Sequence, residues 1–238
     1  MTRYFLAILS ALACLFFSGC LSTVIEKFSY PVSQGYPDYG SVPSQLPRYV
    51  KVGAPGWTGL MGNDVRDLRQ FGIFAMVTMS NEIFTQDGRY TTKPLFDEPL
   101  VIKINIWAIV SASGEGSVFT LSDAVGKLTL ASGESIDATE MYLDVNTRSC
   151  GISEKTSESS RYYLNGKKVY FDFFMGKNVK EPDGRLVTSK GCMVFEYPEP
   201  VSVDNVFTVD FAKITMADGR VIPFKMQFYP LVRESHSK

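Results

Sequence analysis

Few side chains in this sequence are suited to proton transfer or nucleophilic attack. The 238-residue chain holds one histidine, His236, and four cysteines, Cys14, Cys20, Cys150 and Cys192. Ser-His-Asp and Cys-His mechanisms need an imidazole that takes a proton near neutral pH. His236 stands in a polar C-terminal stretch, so neither mechanism is expected. One histidine beside two cysteines that are expected to pair with each other cannot supply the usual zinc ligands. No phosphate-cradling or dinucleotide glycine motif occurs, and no calcium-loop spacing, so neither a metal nor another cofactor is expected. Carboxylate chemistry stays open, because 25 acidic residues cannot be paired by spacing alone. Asp172, inside Tyr170-Phe171-Asp172-Phe173-Phe174, is the candidate for a raised pKa, and is otherwise an outward-facing strand residue. The acid pairs Asp97-Glu98 and Asp137 with Glu140 read as exposed turn or strand-edge charges. No catalytic residue is assigned.

Ser189-Lys190-Gly191-Cys192 resembles the Ser-x-Gly-Cys core of the L,D-transpeptidases. In that family an upstream histidine activates the cysteine and an arginine follows two positions later. Here no histidine lies upstream and Val194 takes the arginine position, so the match is a four-residue coincidence. Composition narrows the classes further. With 45% hydrophobic residues the chain has the apolar material for a core, and 24 Lys and Arg against 25 Asp and Glu leave no excess charge for neutralising phosphates. A disordered chain and a nucleic-acid binder are both excluded as expectations.

The N-terminus carries the strongest signal. Arg3 precedes residues 5–17, a 13-residue run that is apolar apart from Ser10. As a helix it would rise about 20 Å, short of the roughly 30 Å hydrocarbon core, which suits a signal-peptide core better than a permanent span. The segment Phe17-Ser18-Gly19-Cys20 then resembles the lipobox of bacterial lipoproteins. The resemblance implies cleavage before Cys20, a diacylglyceryl group on its sulfur and acylation of the new amino terminus, which together anchor a protein stably. Leu21, being non-acidic, implies the outer membrane, with the protein facing the periplasm. The alternative is an ordinary secretory signal with an incidental cysteine.

Processing would discard Cys14 and commit Cys20 to lipid, which leaves Cys150 and Cys192. An even pair in an oxidising compartment reads as one disulfide, the alternative being two free thiols.

The elements that must position these residues follow from periodicity. Residues 1–19 are the signal peptide and 20–48 a lipid-anchored flexible tether, with Pro31, Pro37, Pro43 and Pro47 among Ser, Gly and Tyr. Tyr30, Tyr36 and Tyr39 form a sugar-stacking or partner-binding strip, or else lie back on their own domain. Residues 49–231 are β-like, and 232–238 are a polar C-terminal tail. Leu100, Ile102, Ile104, Ile106, Ala108 and Val110 alternate along one face of a strand, with Lys103, Asn105 and Trp107 on the other. Residues 206–215 and 220–229 flank Ala217-Asp218-Gly219 as a hairpin, and Pro223 predicts an edge segment or bulge near the start of its second arm. Asp87-Gly88 and Asn165-Gly166 are hairpin-turn signals, whereas residues 63–70 suit one or two helical turns capped by Asn63 or Asp64. About ten short strands and no long helical stripe predict an all-β fold, an antiparallel immunoglobulin-like β-sandwich with long loops. The polar loops 146–160 and 176–190 adjoin Cys150 and Cys192, so a disulfide would pin their bases together.

Residues 53–62 repeat glycine every third position around Trp57, Leu60 and Met61. Trp57 is either a docking anchor or, as favoured here, a plug in the open end of the sandwich. Trp107 is either a packing partner for the second sheet or part of a binding surface. The expected function is a non-catalytic binding or assembly module, anchored to the membrane through Cys20 and engaging an envelope protein or polysaccharide. The alternatives are an envelope polysaccharide hydrolase with paired carboxylates, or a carbohydrate-binding module.

Overall fold

Apolar side chains at every second position do produce strands in the computed structural model, which describes residues 22–33, 49–52, 63–64, 68, 71–86, 88–90, 98–109, 118–145, 150–151, 157–172, 179–180 and 185–237. The first half contains β1 (Ser22–Ser33), β2 (Tyr49–Val52), β3 (Asn63–Asp64), β4 (Ile73–Met79), β5 (Ile83–Gln86), β6 (Arg89–Tyr90), β7 (Val101–Ala108), β8 (Phe119–Ser122) and β9 (Lys127–Leu130). Then follow β10 (Ser135–Asp137), β11 (Glu140–Asp144), β12 (Arg161–Tyr163), β13 (Val169–Phe171), β14 (Val179–Lys180), β15 (Leu186–Thr188), β16 (Lys190–Glu196), β17 (Phe207–Met216) and β18 (Val221–Ser237).

They form two sheets packed as a β-sandwich. The small sheet runs β12-β11-β16-β7-β4-β3. The large one runs β14-β15-β13-β8-β17-β18-β1-β5-β6, with β9 beside β17, β10 beside β9 and β2 beside β18. Among the described residues all pairings are antiparallel except β13 with β15 and β18 with β2. Ile102, Ile104, Ile106, Leu143, Met193 and Phe195 of the small sheet meet Phe207, Val209, Phe211, Phe224, Met226 and Phe228 of the large one in a single core. Each inward position is buried because the alternate residues of a strand share one face.

The hairpin of β17 and β18 is as expected, with Gly219 at φ 84° and the Arg220 N–H donating to Asp218 Oδ1 at 3.0 Å. Pro223 pairs with Lys213, while β1 pairs β18 only over Met226–Ser237, so among the described residues Pro223 lies where β18 has one neighbour. The register of β17 also shifts between Asp210 and Ala212. The extra residue, Phe211, accepts a hydrogen bond on its carbonyl from the Val125 N–H at 2.9 Å. Its ring enters the core 4.8 Å from Phe195 and 5.4 Å from Phe224. β8 and β9 pair the two halves of β17 on either side of this bulge, and Asp123 between them has φ 51°.

Four expectations are corrected. Residues 22–33 are not tether: β1 pairs β18 over twelve positions and β5 over four, and Phe28 is fully buried. Its proline and serines obscured a strand defined by its neighbours, and Pro31 is tolerated where, among the described residues, only β18 adjoins. Residues 34–48 lie outside the described residues, among them Tyr36 and Tyr39. The C-terminal stretch is likewise no tail through Ser237, because Val232 to Ser237 pair with Lys27 to Ser22. Asn63 and Asp64 pair with Val77 and Met76 instead of capping a helix. Finally, Gln86 and Arg89 do close a hairpin over Asp87-Gly88, but Asn165-Gly166 does not make one. There only Gly166 has positive φ, whereas the favoured I′ turn needs it at both central residues. The turn carries the chain from β12 in the small sheet to β13 in the large one.

Candidate functional site

The residues between the inward isoleucines of β7 build the opposite, outer face of the small sheet. Trp107 stands across from Phe74 on β4, stacked with centroids 4.0 Å apart and planes at 22°. On its other side it faces Lys190 of β16, which is exposed. Trp107 is half-buried by this cross-strand stack, so it belongs to the outer surface and does not pack against the large sheet.

One row further along, Asp144, Cys192, Asn105 and Met76 lie across β11, β16, β7 and β4. Cys192 is joined to Cys150, with Cα atoms 5.5 Å apart. The bridge fastens Cys150 and Gly151 onto β16, two residues in from its start at Lys190. Two more attachments hold the same segment. Thr78 Oγ1 donates to the Cys150 carbonyl at 3.0 Å, and Lys103 Nζ donates to the Gly151 carbonyl at 3.1 Å. Cys150, Cys192, Tyr142 and Val194 thus form a second, smaller cluster outside the main core, with Val101 against it. Lys103 and Asp144 are buried on this face, where a charged side chain needs partners to offset lost hydration. Covering by residues 150–151 explains how a nominally solvent-facing row becomes buried.

Toward the β12 edge the face turns aromatic and charged. Tyr142 is buried and its hydroxyl donates to Glu196 Oε1 at 3.0 Å. The Arg161 guanidinium lies 4.4 Å from the centre of the Tyr142 ring, and its NH1 donates to Glu140 Oε2 at 3.3 Å. Burial acts to lower the Arg161 pKa, but the hydrogen bond with Tyr163 and the nearby Tyr142 and Glu196 outweigh it and raise the value, so the group stays cationic. Tyr163 meets Tyr142 edge-on at 6.1 Å and is 44% exposed. Glu140 and Glu196 are direct cross-strand neighbours, each oriented by its donor. The face therefore offers a guanidinium, two fixed carboxylates and aromatic surface on a rigid sheet, which is chemistry for recognising a polar or aromatic-stacking ligand.

Of the candidates read from sequence, Trp107 and the Cys150–Cys192 pair come together on this one face. Cys20, Trp57, Leu60 and Met61 lie outside the described residues. Asp172 belongs to the other sheet, beyond β13, with its N–H donating to the Thr188 carbonyl at 2.9 Å. Among the described residues no three His, Cys, Asp or Glu side chains group as a metal site. Sequence reasoning missed Tyr142, Arg161, Tyr163 and Glu196, and it read Glu140 as an exposed charge where the structure makes it a partly buried partner of Arg161. The parity of Glu140, Tyr142 and Asp144 was legible, but not the register that sets them beside Arg161 and Glu196. No family model, curated protein or solved structure matches this chain.

Proposed function

We propose that the chain is a lipid-anchored cell-envelope protein, held in the outer membrane through Cys20 and facing the periplasm, whose β-sandwich is a non-catalytic binding or assembly module. The observation that carries this reading is the lipobox-like Phe17-Ser18-Gly19-Cys20 directly ahead of a folded β-sandwich that contains a disulfide. A structural disulfide suits an oxidising compartment. The outer face of the small sheet is the module's contact surface, with Trp107, Arg161 and Tyr163 engaging an envelope protein or a polysaccharide. Trp57, Leu60 and Met61 are further contact candidates from the sequence.

The test has two arms. Cys20→Ala should abolish acyl incorporation and release the protein from membranes, and unchanged fractionation would end the anchor reading. Photo-crosslinkers at Lys190 and Tyr163 should capture a partner in cells, whereas one at Val221 should not; equal yields at all three positions would reject the face. A second reading, a glycan hydrolase, draws on the facing carboxylates Glu140 and Glu196. Loss of reducing-end release in both Glu140→Gln and Glu196→Gln would favour it.

A further inference from the structure

β1 opens at Ser22, so Leu21 alone separates the first strand from Cys20. Two Cα steps span at most about 7 Å, whatever their conformation. β1 cannot peel away to serve as a spacer without giving up its pairing with β18 over twelve positions and the burial of Phe28. Chain reach therefore confines the lipid attachment to one end of the sandwich.

Pairing registers define that end. Ser22 faces Ser237, Val24 faces Gln86, Gln86 faces Arg89, and Ser235 faces Val52. The N-terminal end of β1, the C-terminal end of β18 and the β5–β6 hairpin thus share it. The opposite end of β18 starts at Val221, 60% exposed, beside the hairpin that carries Gly219. A strand of 17 residues places Val221 about 50 Å away along the sheet.

We infer that the sandwich stands end-on against the lipid surface, with Ser22, Ser237 and the β5–β6 hairpin at the headgroups and the β17–β18 hairpin projecting into the periplasm. This rests on the reading of Cys20 as the lipid-bearing residue. The absence of a spacer between lipid and strand distinguishes the arrangement from a domain held off on a flexible stalk. It also sets the outer face of the small sheet at the side of the molecule, open to a partner in the same membrane plane.

The experiment uses the processed, acylated protein in vesicles of phosphatidylethanolamine and phosphatidylglycerol doped with a headgroup nitroxide lipid, a short-range quencher. Bimane is attached at Arg89→Cys or at Val221→Cys, both exposed positions. The label at 89 should lose most of its emission, whereas the label at 221 should keep it. A 15-residue Gly-Ser linker inserted after Leu21, with a root-mean-square length of about 20 Å, should restore emission at 89. Unquenched emission at 89 in acylated protein would overturn the inference, because the domain would then stand off. Equal quenching at both positions would overturn it too, since the domain would then lie flat. Failure of the underlying reading is separately visible: the intact mass would lack diacylglyceryl on Cys20 and the protein would not partition into vesicles.

Discussion

Replacing Cys150 and Cys192 together by alanine removes a link between residues 42 positions apart. For a closed loop of that size the chain-entropy relation gives about 4 kcal/mol of lost stability. For a domain of this length that is a fall of roughly 8–16 °C in Tm. The structure adds a local consequence. Cys150 and Gly151 are also held by Thr78 Oγ1 and Lys103 Nζ, and these bonds depend on the segment lying flat on the sheet. Each contributes about 1–3 kcal/mol at most, less than the cost of ordering an unfastened loop of several residues. Without the bridge the segment should therefore lift, and the Lys103 ammonium, now only 6% exposed with the rest of its side chain, should regain water. Urea unfolding of the oxidised protein against the double variant measures the first effect, and acetylation of Lys103 read by mass spectrometry measures the second. An unchanged urea midpoint with Lys103 still protected would refute the reasoning.

A variant lacking residues 22–33 should fail to give the cooperative unfolding transition of the parent, because β1 supplies the neighbour of both β18 and β5 and buries Phe28; a transition unchanged in midpoint and amplitude would return those residues to a tether role. Gly191→Ala should cost about 1–3 kcal/mol in urea unfolding, since a Cβ there would press on the buried Leu143 side chain, with its Cγ at 3.0 Å; adding Leu143→Ala should make the losses non-additive, and simple additivity would count against the clash. Burial, with a smaller contribution from Asp137, raises the Tyr197 pKa far above the usual phenol value, and its hydroxyl has no hydrogen-bond partner among the described residues. A raised folded pKa means stability fully present below pH ~10 and lost above it, at about 1.4 kcal/mol per pH unit. Tyr197→Phe should therefore be nearly neutral at pH 7 and flatten the decline in urea midpoint between pH 10 and 11; parallel alkaline limbs for the two proteins would refute this.

Much of the architecture was legible wherever one strand face is buried and the other is not. The isoleucines of β7 and the alternation of Ile222, Phe224, Met226 and Phe228 record that asymmetry in their own spacing, as the turn at Gly219 records its positive φ. β1 lacks such a record: Glu26, Ser29 and Pro31 are buried beside Phe28, so both its faces carry polar or proline residues in covered positions. Asn165-Gly166 shows the same limit for turns, because the dipeptide permits a hairpin but which sheet the next strand joins depends on long-range pairing.

The candidate site divides along the same line. The sequence by itself determined the β class, the even cysteine pair that suggests the bridge, the outward parity of Lys103 and Trp107, and the scarcity of groups for imidazole chemistry. Each is a property of residue type or of spacing within one segment. Only the tertiary structure decided that Trp107 stacks on Phe74, that the bridge lays residues 150–151 over a buried lysine, that Arg161 reaches Tyr142 and Glu140, and that a strand begins two residues after Cys20. Those relations are set by strand register between segments as far apart in sequence as Ser22 and Ser237, and a shift of one residue would exchange every inward side chain for an outward one.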